Sequence, residues 1–136
     1  MRKRNSIFIL IIFFILFAIY SDQNYEPKNI EELRENARAR AENLPMKDFT
    51  TDGCSLWLNG ILGKDFTDAC IEHDISYWKG CSLEERTKAD IELKNRVNEK
   101  IPLLGDIMYL GVRVFGHPSL NFPWSWGYGL DSSYGY

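Results

Sequence analysis

The sequence is short of the residues that build zinc sites. It has two histidines, His73 and His117, and three cysteines, Cys54, Cys70 and Cys81, with no CxxC pair among them. A tetrahedral Cys/His site is therefore not expected. No GxSxG segment is present to raise a serine nucleophile on a sharp turn. Positive charge is also scarce: 16 Lys and Arg face 19 Asp and Glu, for a net charge of −3. Without a basic face the chain does not read as a nucleic-acid binder. No apolar run reaches the roughly 20 residues of a spanning helix, the longest, residues 7–20, having 14. At 136 residues there is room for one modest domain and not for two separate cores.

What is present begins with Arg2, Lys3 and Arg4 ahead of that apolar run, the layout of a secretory signal. Ala18-Ile19-Tyr20 makes a poor cleavage site, so residues 1–20 read as a signal peptide or as an uncleaved signal anchor. The expected location is outside the cytoplasm: secreted, periplasmic or in the cell envelope, with membrane anchoring through residues 7–20 as one form. Without residues 1–20 the chain keeps 13 basic side chains against 19 acidic ones, a net charge of −6. A bound divalent cation would offset part of that surplus. Residues 21–28 read as a polar linker and residues 29–136 as the working domain. An odd cysteine count leaves one free or paired between chains. A Cys54–Cys70 bridge would staple a loop to a helix, and a Cys70–Cys81 bridge would tie a helix to its following turn; a free Cys81 could support a dimer.

The domain reads as all-α. Asn29 with Glu32 has the form of a capping box opening a first helix, striped by Leu33, Ala37, Ala41 and Leu44 and stopped by Pro45. Residues 48–64 read as an ordered loop with Asp52, Gly53, Asn59-Gly60 and Gly63 at its turns. Such a loop can fold carbonyls inward around a hard cation. A central helix starts near Asp65 or Thr67 and ends at Gly80. Ser82 and Glu85 form a second capping box for a helix running to about Lys100, with Ala89, Leu93, Val97 and either Leu83 or Arg86 facing inward. Leu103 to Phe115 is a final helix, and an aromatic tail with Trp124, Trp126, Tyr128, Tyr134 and Tyr136 follows.

Chemistry is concentrated in the central helix. Phe66, Cys70, His73 and Tyr77 lie at offsets of 0, 4, 7 and 11, along one helix face. His73 and Asp74 are adjacent, so their side chains diverge by roughly 100° and serve different partners. The short turn at Gly80 makes the next helix an antiparallel neighbour. Counted outward from that turn, His73 and Asp90 fall at nearly equal depth and can meet. A neutral imidazole oriented by a carboxylate is a suitable general base. Asp74 instead faces the preceding loop, as a metal ligand beside Asp52. His117 reads as structural, Trp78 as a core or rim aromatic, and Arg86 and Lys88 as solvent charges or phosphate neighbours.

The DGCS segment at 52–55, then Phe66, Cys70, His73-Asp74 and Tyr77, then Asp90 one short turn later, resembles the secreted phospholipase A2 superfamily, with the closer likeness to its compact bacterial and fungal branch. The likeness covers roughly residues 50–100. It implies an antiparallel helix pair with a calcium-binding loop and accessory helices, and calcium-dependent hydrolysis of the sn-2 ester of glycerophospholipids at a membrane surface or micelle. It further implies His73 as base and Asp90 as its orienting partner. Ca2+ would be held by Asp52, Gly53 and Asp74, Cys54 would be bridged to Cys70, and Tyr77 would be a supporting hydroxyl. Trp57, Leu58, Asn59 and Gly60 replace the usual proline-aspartate turn of that branch, and Cys81 has no place in its disulfide scheme. The alternative is a non-catalytic, calcium-stabilised lipid-binding module of the same fold.

Overall fold

The computed structural model describes residues 27–45, 47–55, 57–80 and 82–117, with isolated positions 9, 12, 13, 16 and 120. Within them stand four helices and one small hairpin: α1 (Ile30–Arg40), β1 (Gly60–Ile61), β2 (Lys64–Asp65), α2 (Thr67–Lys79), α3 (Leu83–Lys100) and α4 (Leu104–Phe115). The all-α expectation holds, with the two-stranded ribbon as its minor addition.

Local chemistry sets the helix ends. Asp65 accepts from both the backbone N–H and the hydroxyl of Thr67, at 2.8 and 2.6 Å, which satisfies a donor at the start of α2. Gly80, at φ +67°, closes that helix. The Ser82–Glu85 capping box forms as expected: Ser82 Oγ accepts from the Glu85 N–H, and Glu85 Oε2 accepts from the Ser82 N–H. The first box does not form. Asn29 makes no side-chain cap, and α1 ends at Arg40, which leaves Leu44 exposed rather than in the stripe. Between β1 and β2 the turn residues Leu62 and Gly63 both have positive φ, +52° and +73°, the backbone of a tight hairpin turn. The expected loop over 48–64, with a turn at Gly63, thus contains a short ribbon; leucine is not a residue that announces such a turn.

Helix α2 is the centre of the fold because it is apolar on two sides. One side packs Phe66, Ala69 and Cys70 against Leu93 and Val97 of α3 and Met108 of α4. The other packs Ile75 and Trp78 against Ala37 of α1 and Phe49. Trp78 meets Phe49 edge to face at 5.9 Å and donates its indole N–H to the Lys47 carbonyl at 2.8 Å, so it belongs to the core. Helices α3 and α4 approach closely at Gly105, where an added Cβ would stand 2.1 Å from the Lys94 carbonyl oxygen. Asn98 caps the same place, its Oδ1 accepting from the Gly105 N–H at 2.8 Å.

The expectation of a membrane anchor is corrected. No helix among the described residues is long and apolar enough to cross a membrane, and the 14-residue run at 7–20 falls short of the roughly 20 residues required. A membrane partner reached through such an anchor falls with it. The expected location outside the cytoplasm loses its membrane-anchored form with it. Most of residues 1–20, residues 21–26 of the linker at 21–28, Cys81 with its expected dimer contact, and the aromatic tail apart from His117 and Leu120 lie outside the described residues.

Candidate functional site

The site is built where α2, α3, α4 and the loop at 51–57 converge. On the central helix, Cys70, His73 and Tyr77 turn toward α3 and α4. His73 Nε2 stands 2.7 Å from Asp90 Oδ1, so the two residues of equal depth about the Gly80 turn do meet. The Tyr77 hydroxyl donates to the same oxygen at 2.7 Å, and the Tyr77 ring lies beside the imidazole with centroids 4.3 Å apart. Asp90 is fully buried, and its second oxygen accepts from Arg113 Nη1 at 2.8 Å. Burial alone would raise the Asp90 carboxyl, but the donors from His73, Tyr77 and Arg113 outweigh it and hold the group below the ordinary carboxylate range. Burial and the adjacent Asp90 charge push the Tyr77 phenol upward, so it stays a protonated donor.

Arg86, and not Leu83, takes the inward place on α3 for which the sequence offered both. It is 1% exposed, not a solvent charge, while Leu83 points outward. Its Nε donates to the Tyr77 hydroxyl at 3.0 Å, and its Nη2 donates to the carbonyls of Val112 and Arg113 at 3.0 and 3.2 Å. The last turn of α4 is thus hung on an α3 side chain. Its spacing four residues before Asp90 is the available sequence signal; Arg113 has none. Lys88 remains at the surface, paired with Glu84, and His117 is exposed after α4.

Asp74 leaves the helix on a different bearing and meets the loop. Its Oδ2 accepts from the Thr51 hydroxyl at 2.6 Å, and that hydroxyl oxygen accepts from the Gly53 N–H at 3.0 Å. Asp52 accepts from Ser55 at 2.7 Å. Gly53 has φ +77°, and a Cβ there would overlap Asn59 Oδ1 at 2.1 Å. Only glycine fits this turn, because Asn59 Oδ1 already accepts from the Cys54 N–H at 2.8 Å. The Cys54–Cys70 disulfide pins the loop to α2. Desolvation raises the Asp74 carboxyl well above its usual range; the Thr51 hydrogen bond opposes this and the Asp52 charge adds to it. A desolvated carboxylate with a second carboxylate in the neighbouring loop, beside backbone carbonyl oxygens, offers the donor types a hard cation requires. Asp52, Asp74 and the Gly53 carbonyl are the groups here that could hold one. Among the described residues no group of three or more His, Cys, Asp and Glu gathers as a metal site, so such a cation would depend on backbone oxygens as well.

A cavity of about 270 Å³ opens over these groups. Gly53, His73 and Asp74 form its polar end, and Trp57, Met108 and Phe115 are among its apolar walls. His73 Nε2 is engaged with Asp90, which leaves Nδ1 as the imidazole nitrogen able to take a proton. The arrangement joins an imidazole paired with a buried carboxylate, two further carboxylates and an apolar chamber. Comparison of the chain with protein-family models, with curated proteins and with solved structures gives no match, so the resemblance rests on its own motif residues.

Proposed function

We propose that the chain is a calcium-dependent hydrolase of the sn-2 ester of glycerophospholipids, with a phospholipase A2-like helix pair and calcium loop. The observation that carries this reading is the 2.7 Å pairing of His73 with a fully buried Asp90 at the polar end of an apolar cavity. Asp90 holds the proton on Nε2 and so presents Nδ1 as the basic nitrogen. Water in the cavity gives a proton to Nδ1 as its oxygen bonds to the ester carbonyl carbon. The imidazolium then returns that proton to the leaving alkoxide as the carbon–oxygen bond breaks, giving a fatty acid and a lysophospholipid. Positioned proton transfer of this kind contributes roughly 10²–10⁴ in rate. Tyr77 supports Asp90 by sharing its Oδ1. The apolar walls shelter the acyl chain and exclude competing water. Calcium held by Asp52, Gly53 and Asp74 would supply charge for the lipid phosphate and the developing oxyanion.

The test is fatty-acid release from mixed phospholipid micelles in millimolar calcium. His73→Ala is expected to lose release and keep calcium binding, while Asp74→Asn loses both. Wild-type protein that binds phospholipid and releases no fatty acid would overturn the hydrolase in favour of a calcium-stabilised lipid-binding module.

A further inference from the structure

Asp90 carries an arrangement that a base-orienting carboxylate does not require. Two arginines approach it, and they perform different tasks. Arg86, wholly buried, spends its hydrogen bonds on Tyr77 and on the carbonyls of Val112 and Arg113, and its Nε is 4.0 Å from Asp90 Oδ2. Arg113 alone donates directly to Oδ2, at 2.8 Å, and it comes from α4 while Asp90 sits on α3. Its side chain is about one third exposed, so unlike Arg86 it is not fixed by burial. Its second contact, to Thr87 Oγ1, is long at 3.4 Å.

A carboxylate has one soft rotation, about the bond that carries it. With only Oδ1 engaged, Asp90 could turn and still satisfy a donor from either oxygen. With Oδ2 held from the opposite side by a guanidinium, Oδ1 is confined to the side of His73 and Tyr77. We propose that Arg113 is a positioning residue for the His73–Asp90 pair, fixing the carboxylate plane and through it the imidazole. The same turn of α4 lines the cavity with Val112 and Phe115. The wall against which an acyl chain rests and the clamp on the base are therefore one piece of helix. This rests on the hydrolase reading for its catalytic consequence, but the clamp itself is independent of it.

The experiment uses Arg113→Gln and Arg113→Lys in the full chain, each studied well below its melting midpoint. The first readout is the proton NMR spectrum of the His73 Nε2–H, expected far downfield in the wild type because of its short bond to a carboxylate. It should move upfield or broaden away in Arg113→Gln and recover in part in Arg113→Lys. The second readout is hydrolysis of monomeric dihexanoyl phosphatidylcholine with calcium. Outer hydrogen-bond partners of metal-ligating side chains cost about 10- to 100-fold when lost; a loss of similar size is expected here, on kcat with KM little changed, with partial rescue by lysine. A merely structural arginine would lower the melting point and leave both readouts at wild-type values, and that result overturns the proposal. Should Arg113→Gln not fold, Arg113→Lys decides: a displaced proton signal with reduced kcat supports the role, and wild-type values in both refute it. Wild-type protein that shows the downfield proton without any fatty-acid release refutes the hydrolase reading and leaves the clamp to be judged by the NMR arm alone.

Discussion

Replacing Asp90 with asparagine tests the buried network most directly. The carboxylate takes three donors on two oxygens: His73 Nε2 and Tyr77 OH on Oδ1, and Arg113 Nη1 on Oδ2. An amide of the same shape has one oxygen and one NH2. If its oxygen faces His73 and Tyr77, the NH2 is set against the Arg113 guanidinium and two donors collide. If it is flipped, the NH2 faces the imidazole and the phenol, which must both become acceptors. Either way the buried Arg86 loses the negative charge 4.0 Å from its Nε. Breaking a buried, hydrogen-bonded ion pair from one side costs about 3–5 kcal/mol, against a total domain stability of about 5–15 kcal/mol. With a urea slope of about 1.5 kcal/mol per molar, the unfolding midpoint at pH 7 should fall by roughly 2–3 M. The pH dependence adds a second check. The folded Asp90 carboxyl lies below its unfolded value, so its contribution is fully present above the unfolded carboxylate pKa of about 3.9 and is lost as pH falls through the depressed folded value. The gap between wild type and Asp90→Asn should therefore narrow as the urea titration is repeated from pH 7 toward pH 3. A difference under about 1 kcal/mol at pH 7, where breaking a buried pair should cost several, would refute this account of Asp90, as would a gap that does not change with acid.

Three further outcomes are expected. Replacing both Cys54 and Cys70 with serine opens a bridge spanning 16 positions and should cost about 3 kcal/mol in urea unfolding, with calcium affinity falling because the loop is no longer pinned to α2. Gly111 lines the cavity, and an added Cβ there meets nothing within 4 Å. Gly111→Ala should raise stability by up to about 1 kcal/mol through helix propensity, while Gly111→Leu should reduce binding of long-chain fatty acids more than of short ones, measured by competition with a fluorescent fatty acid. The raised Asp74 carboxyl gives the opposite sign to Asp90: without calcium, stability should decline as pH rises from the unfolded value through the raised folded one, because ionising Asp74 is disfavoured in the fold. Calcium should reverse this at neutral pH, visible as a melting-point gain that disappears on acidification and is absent in Asp74→Asn.

What could be seen in the sequence, and what could not, divides by the range of the interaction. The meeting of His73 with Asp90 followed from counting residues on either side of Gly80, because a short turn between two helices leaves little freedom in their register. The Ser82–Glu85 box was legible for a similar reason, since its partners are three residues apart. Asn29 had the same spelling and formed no cap, so the motif alone does not decide the backbone that presents it. Arg86, Asp90, Leu93 and Val97 repeat on α3 the offsets of Phe66, Cys70, His73 and Tyr77 on α2, and all four are buried. Read by residue type, two of the four are charged and look like a solvated edge. Read by period, they form the inward face. The charges are tolerable there because they answer one another and the opposite helix, and the final partner, Arg113, lies 23 residues beyond Asp90. No local pattern contains that pairing. It depends on α4 returning across α3 at Gly105, where the absence of a side chain lets the two backbones approach. The acidic half of the site was visible from helix geometry; the arginine that pairs with it appears only once α4 has closed over α3.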